Sequence, residues 1–567
     1  MSFIQKQPER NGRVSVHLAT SVHVPGKKHP SHVRQYLGVL DTSSNELLLG
    51  SKSVEPDDVL MKLLKAKGIT YNGKHAEGRG PKPKHGAQCR RVETDLKGAH
   101  LSGSGFAVTE IGRSGALRKL GQESGLLEAL RIGFGETDAG RLLALAIHQV
   151  CEGEALYLAE DWMEDAGMDS LGMSAASVCR LMAIIGDNHA GQQEFFRAWI
   201  KECGTPTALI HDTTSISSYA TDLESAEWGY NRDCEVLPQV NLALVVAQES
   251  RRPLWFRLLP GSIPDVSSLK ITSKMLLELG LENFSYSLDR GYFSSSNLSA
   301  MLGSKLDFTI GVPLGNSQAK ALLKKHHNAL RSVKRAFLYG EERLRHVECQ
   351  FQATMTDGSK KLLPGHLYLN PERQEQSLKG IELKILQMED KARSTAFHDR
   401  KVATRWIQEN AGALGSYLSV SSSNGEIMIK RKSNALAKLA NKLGITLLIS
   451  TEANAGREKV MSNYRSRDLA EKVFDNYKNA TGNNRLRSGN DDASKGRVFL
   501  GFLSVVLRSL FEQHLRDKGL LKHHSVQQSL ALLRKVKQVK FVSGKEIILE
   551  VPKKARELAI SFGVQTE

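Results

Sequence analysis

Near the N-terminus, RVSVHLATSVHV alternates apolar and polar residues at period two, and VRQYLGVLD and NELLLG follow with turn residues between them. Such alternation predicts half-buried strands. Residues 1–110 are therefore expected to form a basic, β-rich N-terminal region. From 111 to 205 the period changes. SGLLEALRIGF, AGRLLALAIHQVCEGEALYLAEDWMEDAG and SAASVCRLMAIIG place apolar residues at helical spacing, and Ser174 stands where it can cap the last of them. This stretch is expected to be helical, either as a packing bundle or as a DNA-binding module.

From 206 short apolar runs alternate with helices. TALIHDTTS ends an apolar run at Asp212, VNLALVVAQ and LWFRLLPG follow, and then come a helix (DVSSLKITSKMLLELG), a strand (NFSYSLD), a helix (YFSSSNLSAMLG) and a strand (LDFTIGVP). Three strands can form an antiparallel meander, and the later ones join it through helical crossovers. That order predicts an α/β fold with a ribonuclease-H-like catalytic core, its first part at 206–312. Residues 313–442 interrupt it with a basic helix, further strands and a charged stretch, and are expected to be an insertion subdomain. GITLLIS returns as a buried strand, so 443–520 is read as the second part of the core and 521–567 as a C-terminal region. The most apolar run, Val498 to Leu507, is about half of the ~20 residues a membrane span needs. It predicts a buried core helix.

Charge narrows the partner. Lys plus Arg (78) exceed Asp plus Glu (61), for a formal net charge of +17. A surplus of this size points to a polyanion, nucleic acid first. Lys74, Arg79, Lys82, Lys84, Arg90 and Arg91 cluster in one Gly- and Pro-containing segment, which reads equally as a DNA-backbone patch or as a solvated linker. The six cysteines show no C-x-x-C spacing, which excludes zinc-finger and thioredoxin motifs and fits a reducing cytoplasm. The opening MSFIQKQPERNG lacks the apolar core of a signal peptide. No G-x-x-x-x-G-K-[ST] motif is present, which argues against a P-loop ATPase.

The chemistry resides in carboxylates. Asp212 is expected to end the first core strand and Asp289 the fourth; side by side, their side chains would meet where open α/β sheets build sites. Two adjacent carboxylates repel unless a cation separates them, and oxygen-only ligands suit magnesium or manganese. Glu471 is the third carboxylate. With about 100° of rotation per residue, Tyr464, Arg467, Glu471 and Lys478 fall on one stripe of a single helix expected from about Ser462. Leu469, Val473 and Tyr477 fall on the opposite, buried face. Taken alone, such a stripe also describes an ordinary amphipathic helix with a solvated face.

The spacing Tyr464, two residues, Arg467, three residues, Glu471, six residues, Lys478 resembles the Y-(2)-R-(3)-E-(6)-K signature of the insertion-sequence-four group of DDE transposases. HDTTS around Asp212, PLWFRLLPGSIPD and SLDRGYFSS around Asp289 resemble that group's other motifs in the same order, from about 205 to 510. The gap between Asp289 and Glu471 resembles the place where the group carries a β-rich insertion. The resemblance implies a metal-dependent enzyme that cuts double-stranded DNA at an element's terminal inverted repeats and joins it to target DNA. Asp212, Asp289 and Glu471 would be the catalytic metal ligands for two Mg2+ or Mn2+ ions, and Tyr464, Arg467 and Lys478 the DNA contacts. It further implies a dimer on synapsed ends, acting in the bacterial cytoplasm without a membrane. Trp406 is the only Trp between 313 and 442, and no motif assigns it the base-stacking role known in some members. His211 reads as a packed strand histidine, with orientation of Asp212 or contact with DNA the alternative. Arg290 and Asn297 flank the second aspartate as further supporting residues. Two other functions share these features: a ribonuclease-H-like nuclease without strand transfer, and a catalytically silent DNA-binding protein derived from a transposase. An RNA-binding protein would be favoured by aromatic platform motifs, which are absent.

Overall fold

In a computed structural model of the chain, the period-two segments near the N-terminus form β1 (Ser2–Pro8), β2 (Val14–Val22), β3 (Ser31–Asp41) and β4 (Glu46–Leu49). They make one antiparallel sheet in the order β1-β2-β3-β4. Helix Asp58–Ala66 follows, and Leu64 joins Ile4, Val16, Leu37, Leu47 and Leu49 in a small core. The structure describes residues 2–8, 14–22, 31–41, 44–49, 56 and 58–73, and residues 106–567 except 154, 169–171, 221–222, 264, 396 and 424–425. The basic segment from Lys74 to Arg91 lies outside the described residues. Residues 1–106 and 107–567 are separate compact units.

In the second unit, β5 (Phe106–Glu110) leads into helices Gly112–Glu123, Leu126–Glu152, Ala159–Asp165, Ala175–Asp187 and His189–Glu202. Ser174 caps Ala175–Asp187, accepting from the Ser177 N–H. All of these helices but Ala159–Asp165 pack against helix Asp491–Asp517. Its stretch Val498–Leu507 is buried throughout, as that run predicts. Phe196, Phe256, Phe499 and Phe502 meet there edge-on or tilted, and each buried side chain of this kind contributes roughly 1.5–3 kcal/mol. By length and composition this helix passes as a membrane span, yet 78% of its most apolar window is buried inside the protein.

The sheet begins with β6 (Ala208–Ser218), β7 (Gln239–Ala247) and β8 (Pro253–Pro260), an antiparallel meander. Helix Asp265–Glu278 leads to β9 (Ser285–Leu288), and helix Ser295–Gly303 to β10 (Asp307–Gly311). β9 lies parallel to both β6 and β10, so helices make the crossovers that parallel pairing demands. The order strand, strand, strand, helix, strand, helix, strand is the one the hydrophobic pattern predicts.

The stretch 313–442 divides in two. After helix Ser317–Arg331, β11 (Ala336–Tyr339), β12 (Glu342–Thr354) and β13 (Lys360–Leu369) extend the main sheet, because β13 pairs with the strand that follows the interruption. Only the remainder packs on its own. Helices Pro371–Arg393, Arg400–Asn410 and Ser433–Ala440, with the hairpin β14 (Leu418–Ser423) and β15 (Glu426–Arg431), enclose Ile385, Ala403, Ile407 and Ile429. This part is mainly helical, not β-rich. Trp406 is half-buried there, its ring 5.8 Å from Phe397. β16 (Ile445–Ser450) then completes the order β11-β12-β13-β16-β10-β9-β6-β7-β8, with β17 (Arg485–Leu486) beside β6. Near the C-terminus, β18 (Lys537–Phe541) and β19 (Glu546–Ile548) form a hairpin, and β5 joins them as a third strand.

Candidate active site

β6 and β9 run in register: Ala208 pairs with Ser285, Leu209 with Tyr286 and Ile210 with Ser287. Continued by two residues, that register sets Asp212 abreast of Asp289. In-register residues on neighbouring strands point to the same face, so the two carboxylates are presented together. Asp289 directly follows β9 and opens the short turn Arg290–Tyr292. Asp212 does not end its strand, contrary to the sequence expectation. It sits inside β6, because β7 pairs along β6 as far as Ser217. On the other edge β9 stops at Ile210 and β17 begins at Ser217. Between them Asp212 opens onto a gap in the sheet.

His211, its neighbour, is fully buried. Its Nε2 lies 3.3 Å from the Thr272 hydroxyl and its ring meets Tyr292 edge-on at 5.1 Å. It packs the strand rather than facing the cleft. Asn297 donates to the Tyr292 carbonyl at 2.9 Å, Tyr292 donates to Thr213 at 3.2 Å, and the turn after Asp289 is thereby tied to β6. Arg290 is exposed.

The glutamate segment is not the single regular helix expected from Ser462. It runs as helix Arg457–Arg465, a turn at Ser466–Arg467, helix Asp468–Asp475 and a wide π turn at Asn476–Ala480. Ala470, Val473, Phe474 and Tyr477 are buried, and Leu469 is half-buried. Glu471 is left with 60% of its side chain exposed. Tyr464 reaches Asp289 because β10 has Gly311 beneath it: a Cβ there would stand 2.9 Å from the Tyr464 hydroxyl. Tyr464 donates to Asp289 Oδ1 at 3.3 Å. Burial, reinforced by Asp289 and opposed by Arg467, raises its pKa, so the phenol stays a donor.

Asp212, Asp289 and Glu471 line one cleft of about 420 Å³, together with Arg232, Asp233, Tyr292, Arg467 and Lys478. Cations meet the carboxylates within it. Arg467 Nη1 lies 2.5 Å from Asp289 Oδ1, and its Nη2 lies 3.8 Å from Glu471. Arg232 Nη1 lies 3.6 Å from Asp212 Oδ1, and Lys478 pairs with Asp233 at 2.7 Å. Burial works against the Arg467 charge, but Tyr464, Asp289, Glu471 and Asp468 outweigh it and raise its pKa. Its Nε is buried without a hydrogen-bond partner. All six residues singled out by sequence thus converge here: five line the cleft or pair across it, and Tyr464 stands beside it on Asp289.

Sequence reasoning missed Arg232 and Asp233. They lie in the loop between β6 and β7, which no periodicity marks. Asn231 donates to Ser217 at 2.9 Å, the Arg232 N–H to Ser215 at 3.0 Å, and Arg485 of β17 holds Glu235. These bonds fold the loop back over the strand that carries Asp212.

A family model described as a transposase DDE domain matches residues 204–507, more than half of the chain. The chain belongs to the DDE transposase domain family. The matched residues include both aspartates, Glu471 and the whole gap between them. No curated protein matches the chain. Among solved structures, a piggyBac transposase synaptic complex with hairpin DNA is similar, at 11% identity over 70% of each chain with a TM-score of 0.34. Within the matched DDE domain, Asp212 lies inside β6, Asp289 just past β9 and Glu471 on helix Asp468–Asp475, and only the folded sheet brings them together.

Proposed function

We propose that the protein is the transposase of an insertion sequence of the insertion-sequence-four group, cutting double-stranded DNA at terminal inverted repeats and joining the released end to a target. The observation that carries this reading is the convergence of Asp212, Asp289 and Glu471 on one cleft edged by Arg232, Arg467 and Lys478. Family membership supports the reaction class, and the net charge of +17 supports a polyanionic substrate. The resemblance adds a dimer on two synapsed ends and action in the bacterial cytoplasm.

The three carboxylates fit divalent metal ions. The donor set is oxygen-only and two of its members stand abreast, so a hard cation such as magnesium or manganese would relieve their repulsion. The chemistry two such ions supply is activation of the attacking oxygen and stabilisation of the leaving one. The chain's own cations do the rest. Arg467, already seated between Asp289 and Glu471, is placed to hold the scissile phosphate through its planar fork. Lys478 and Arg232 contact flanking phosphates and fix register without reading sequence. Tyr464 buttresses Asp289. No nucleotide cofactor is required, because strand transfer exchanges one phosphodiester for another.

The deciding experiment is cleavage and strand transfer in vitro with magnesium, on duplex DNA ending in the element's own repeat, comparing the unaltered protein with Glu471→Gln. Joined product that Glu471→Gln loses by about 10²-fold or more, with DNA binding retained, supports the proposal. Cleavage without joined product would make the protein a nuclease. Equal activity of the two proteins would remove Glu471 from the site.

A further inference from the structure

A second set of ligating side chains lies on β12 and β13, outside the carboxylate cleft. Glu348 and His366 oppose each other directly in the antiparallel register, and His346, two residues before Glu348, opposes Tyr368. Residues two apart on a strand share a face, so all three side chains project from one side of the sheet. His346 Nε2 lies 3.1 Å from His366 Nδ1, with the rings stacked at a centroid distance of 5.3 Å. One ligand atom from each of His346, Glu348 and His366 lies within 4.8 Å of the others.

The surroundings suit a metal of different character from the one the cleft would take. His346 and His366 are 7% and 6% exposed, whereas Glu348 reaches solvent. Burial, with His366 and Arg457 adding to it, lowers His346 to about 4, and burial lowers His366 as well. Imidazole ligates a metal in its neutral form. Two nitrogens bound to zinc at about 2.0–2.1 Å in a tetrahedral arrangement stand about 3.3 Å apart, close to the separation here. Imidazole nitrogen with one carboxylate suits zinc and its first-row neighbours, whereas magnesium prefers oxygen alone.

We propose that His346, Glu348 and His366 form a binding site for one divalent transition-metal ion of the zinc class, distinct from the carboxylate cleft. The site braces the helix that carries Tyr464. The His346 ring lies 4.8 Å from that of Tyr368, whose hydroxyl donates to the Arg457 carbonyl at 2.7 Å at the start of helix Arg457–Arg465. Arg457 in turn covers Phe337 at 4.4 Å. Metal held on β12 and β13 would fix the strand surface on which that helix rests.

The test uses the full chain, stripped of metal with a chelator and titrated with Zn2+ by calorimetry and with Co2+ by visible absorption. With excess Mg2+ present to occupy the carboxylate cleft, the expected result is one equivalent bound, with Co2+ bands of nitrogen and oxygen ligation and no thiolate charge-transfer band. Glu348→Gln and His366→Gln each weaken binding at least about 10-fold, and Asp289→Asn leaves it unchanged. Glu348 is exposed, so its variant keeps the test decisive should His366→Gln fail to fold. Absence of stoichiometric uptake, uptake that survives Glu348→Gln, or uptake lost in Asp289→Asn would each overturn the proposal.

Discussion

The carboxylate cleft and the histidine cluster occupy the same ten-stranded sheet but handle polar groups in opposite ways. In the cleft the acids meet cations, Arg232 at 3.6 Å from Asp212 and Arg467 at 2.5 Å from Asp289. In the cluster burial favours the neutral imidazole and lowers both histidines' pKa. The backbone explains the difference. The cleft lies where β9 ends beside a continuing β6, so side chains open onto a gap that a polyanion can approach. The cluster lies where two long antiparallel strands pair without interruption and a helix covers the face, so both imidazoles are buried while Glu348 reaches solvent. A sheet sets acids against cations where its pairing breaks and buries imidazoles where its pairing is complete.

Replacing Arg467, which touches two of the three acids, tests the charged half of this comparison hardest. Arg467→Ala is expected to lower DNA cleavage by roughly 10–100-fold, the range found when groups that orient ligands are removed. Arg467→Lys should rescue little, because a point charge cannot reproduce a planar fork. Single-turnover cleavage at saturating DNA reads the effect, and full activity of Arg467→Ala would show that Arg467 only balances charge.

The neutral half is tested at a histidine remote from both sites. His148 is buried, its ring 5.3 Å from that of Trp162, and burial lowers it to about 4 against an opposing pull from Glu152. Between pH 6.5 and about 4 the unfolded chain binds a proton that the folded chain refuses, so stability falls as pH falls through that window. At ~1.4 kcal/mol per unit the loss approaches ~3 kcal/mol. Thermal denaturation across that range should show it, and His148→Gln should flatten the profile. An unchanged slope would mean that His148 titrates normally.

Gly311→Ala sharpens the role of close backbone approach beside the cleft. The added methyl would crowd the Tyr464 hydroxyl and Arg290, at a cost of about 1–3 kcal/mol. Thermal denaturation measures the loss of stability, and cleavage should fall with it as Tyr464 leaves Asp289. A variant as stable and as active as the parent would show that Tyr464 moves aside freely. The smallest expected effect is that of Lys478→Ala. It should weaken binding to all duplexes alike and reduce the salt dependence of log K by about one phosphate contact. A sequence-selective loss would contradict a backbone role.

Much of this was legible along the chain. The alternation of β6, β7 and β8 with helical crossovers follows from hydrophobic period alone, and the spacing from Tyr464 to Lys478 marks the glutamate segment. Arg232 was not legible, since its place depends on Ser215 and Ser217 hydrogen-bonding a loop 14 to 17 residues further on. Nor was the break at Ser466–Arg467, because the apolar residues keep helical spacing across it.

The amino-acid sequence by itself determined which residues carry charge, which segments alternate at strand or helix period, and the order in which the acids appear. Those are local properties, set by side-chain chemistry and the two backbone periods. Tertiary structure alone decided that Asp212 lies abreast of Asp289, that β12 and β13 join the main sheet, and that His346 meets His366. Each depends on strand register between segments far apart in the chain, and register is chosen by the packing of the whole sheet rather than by any one strand.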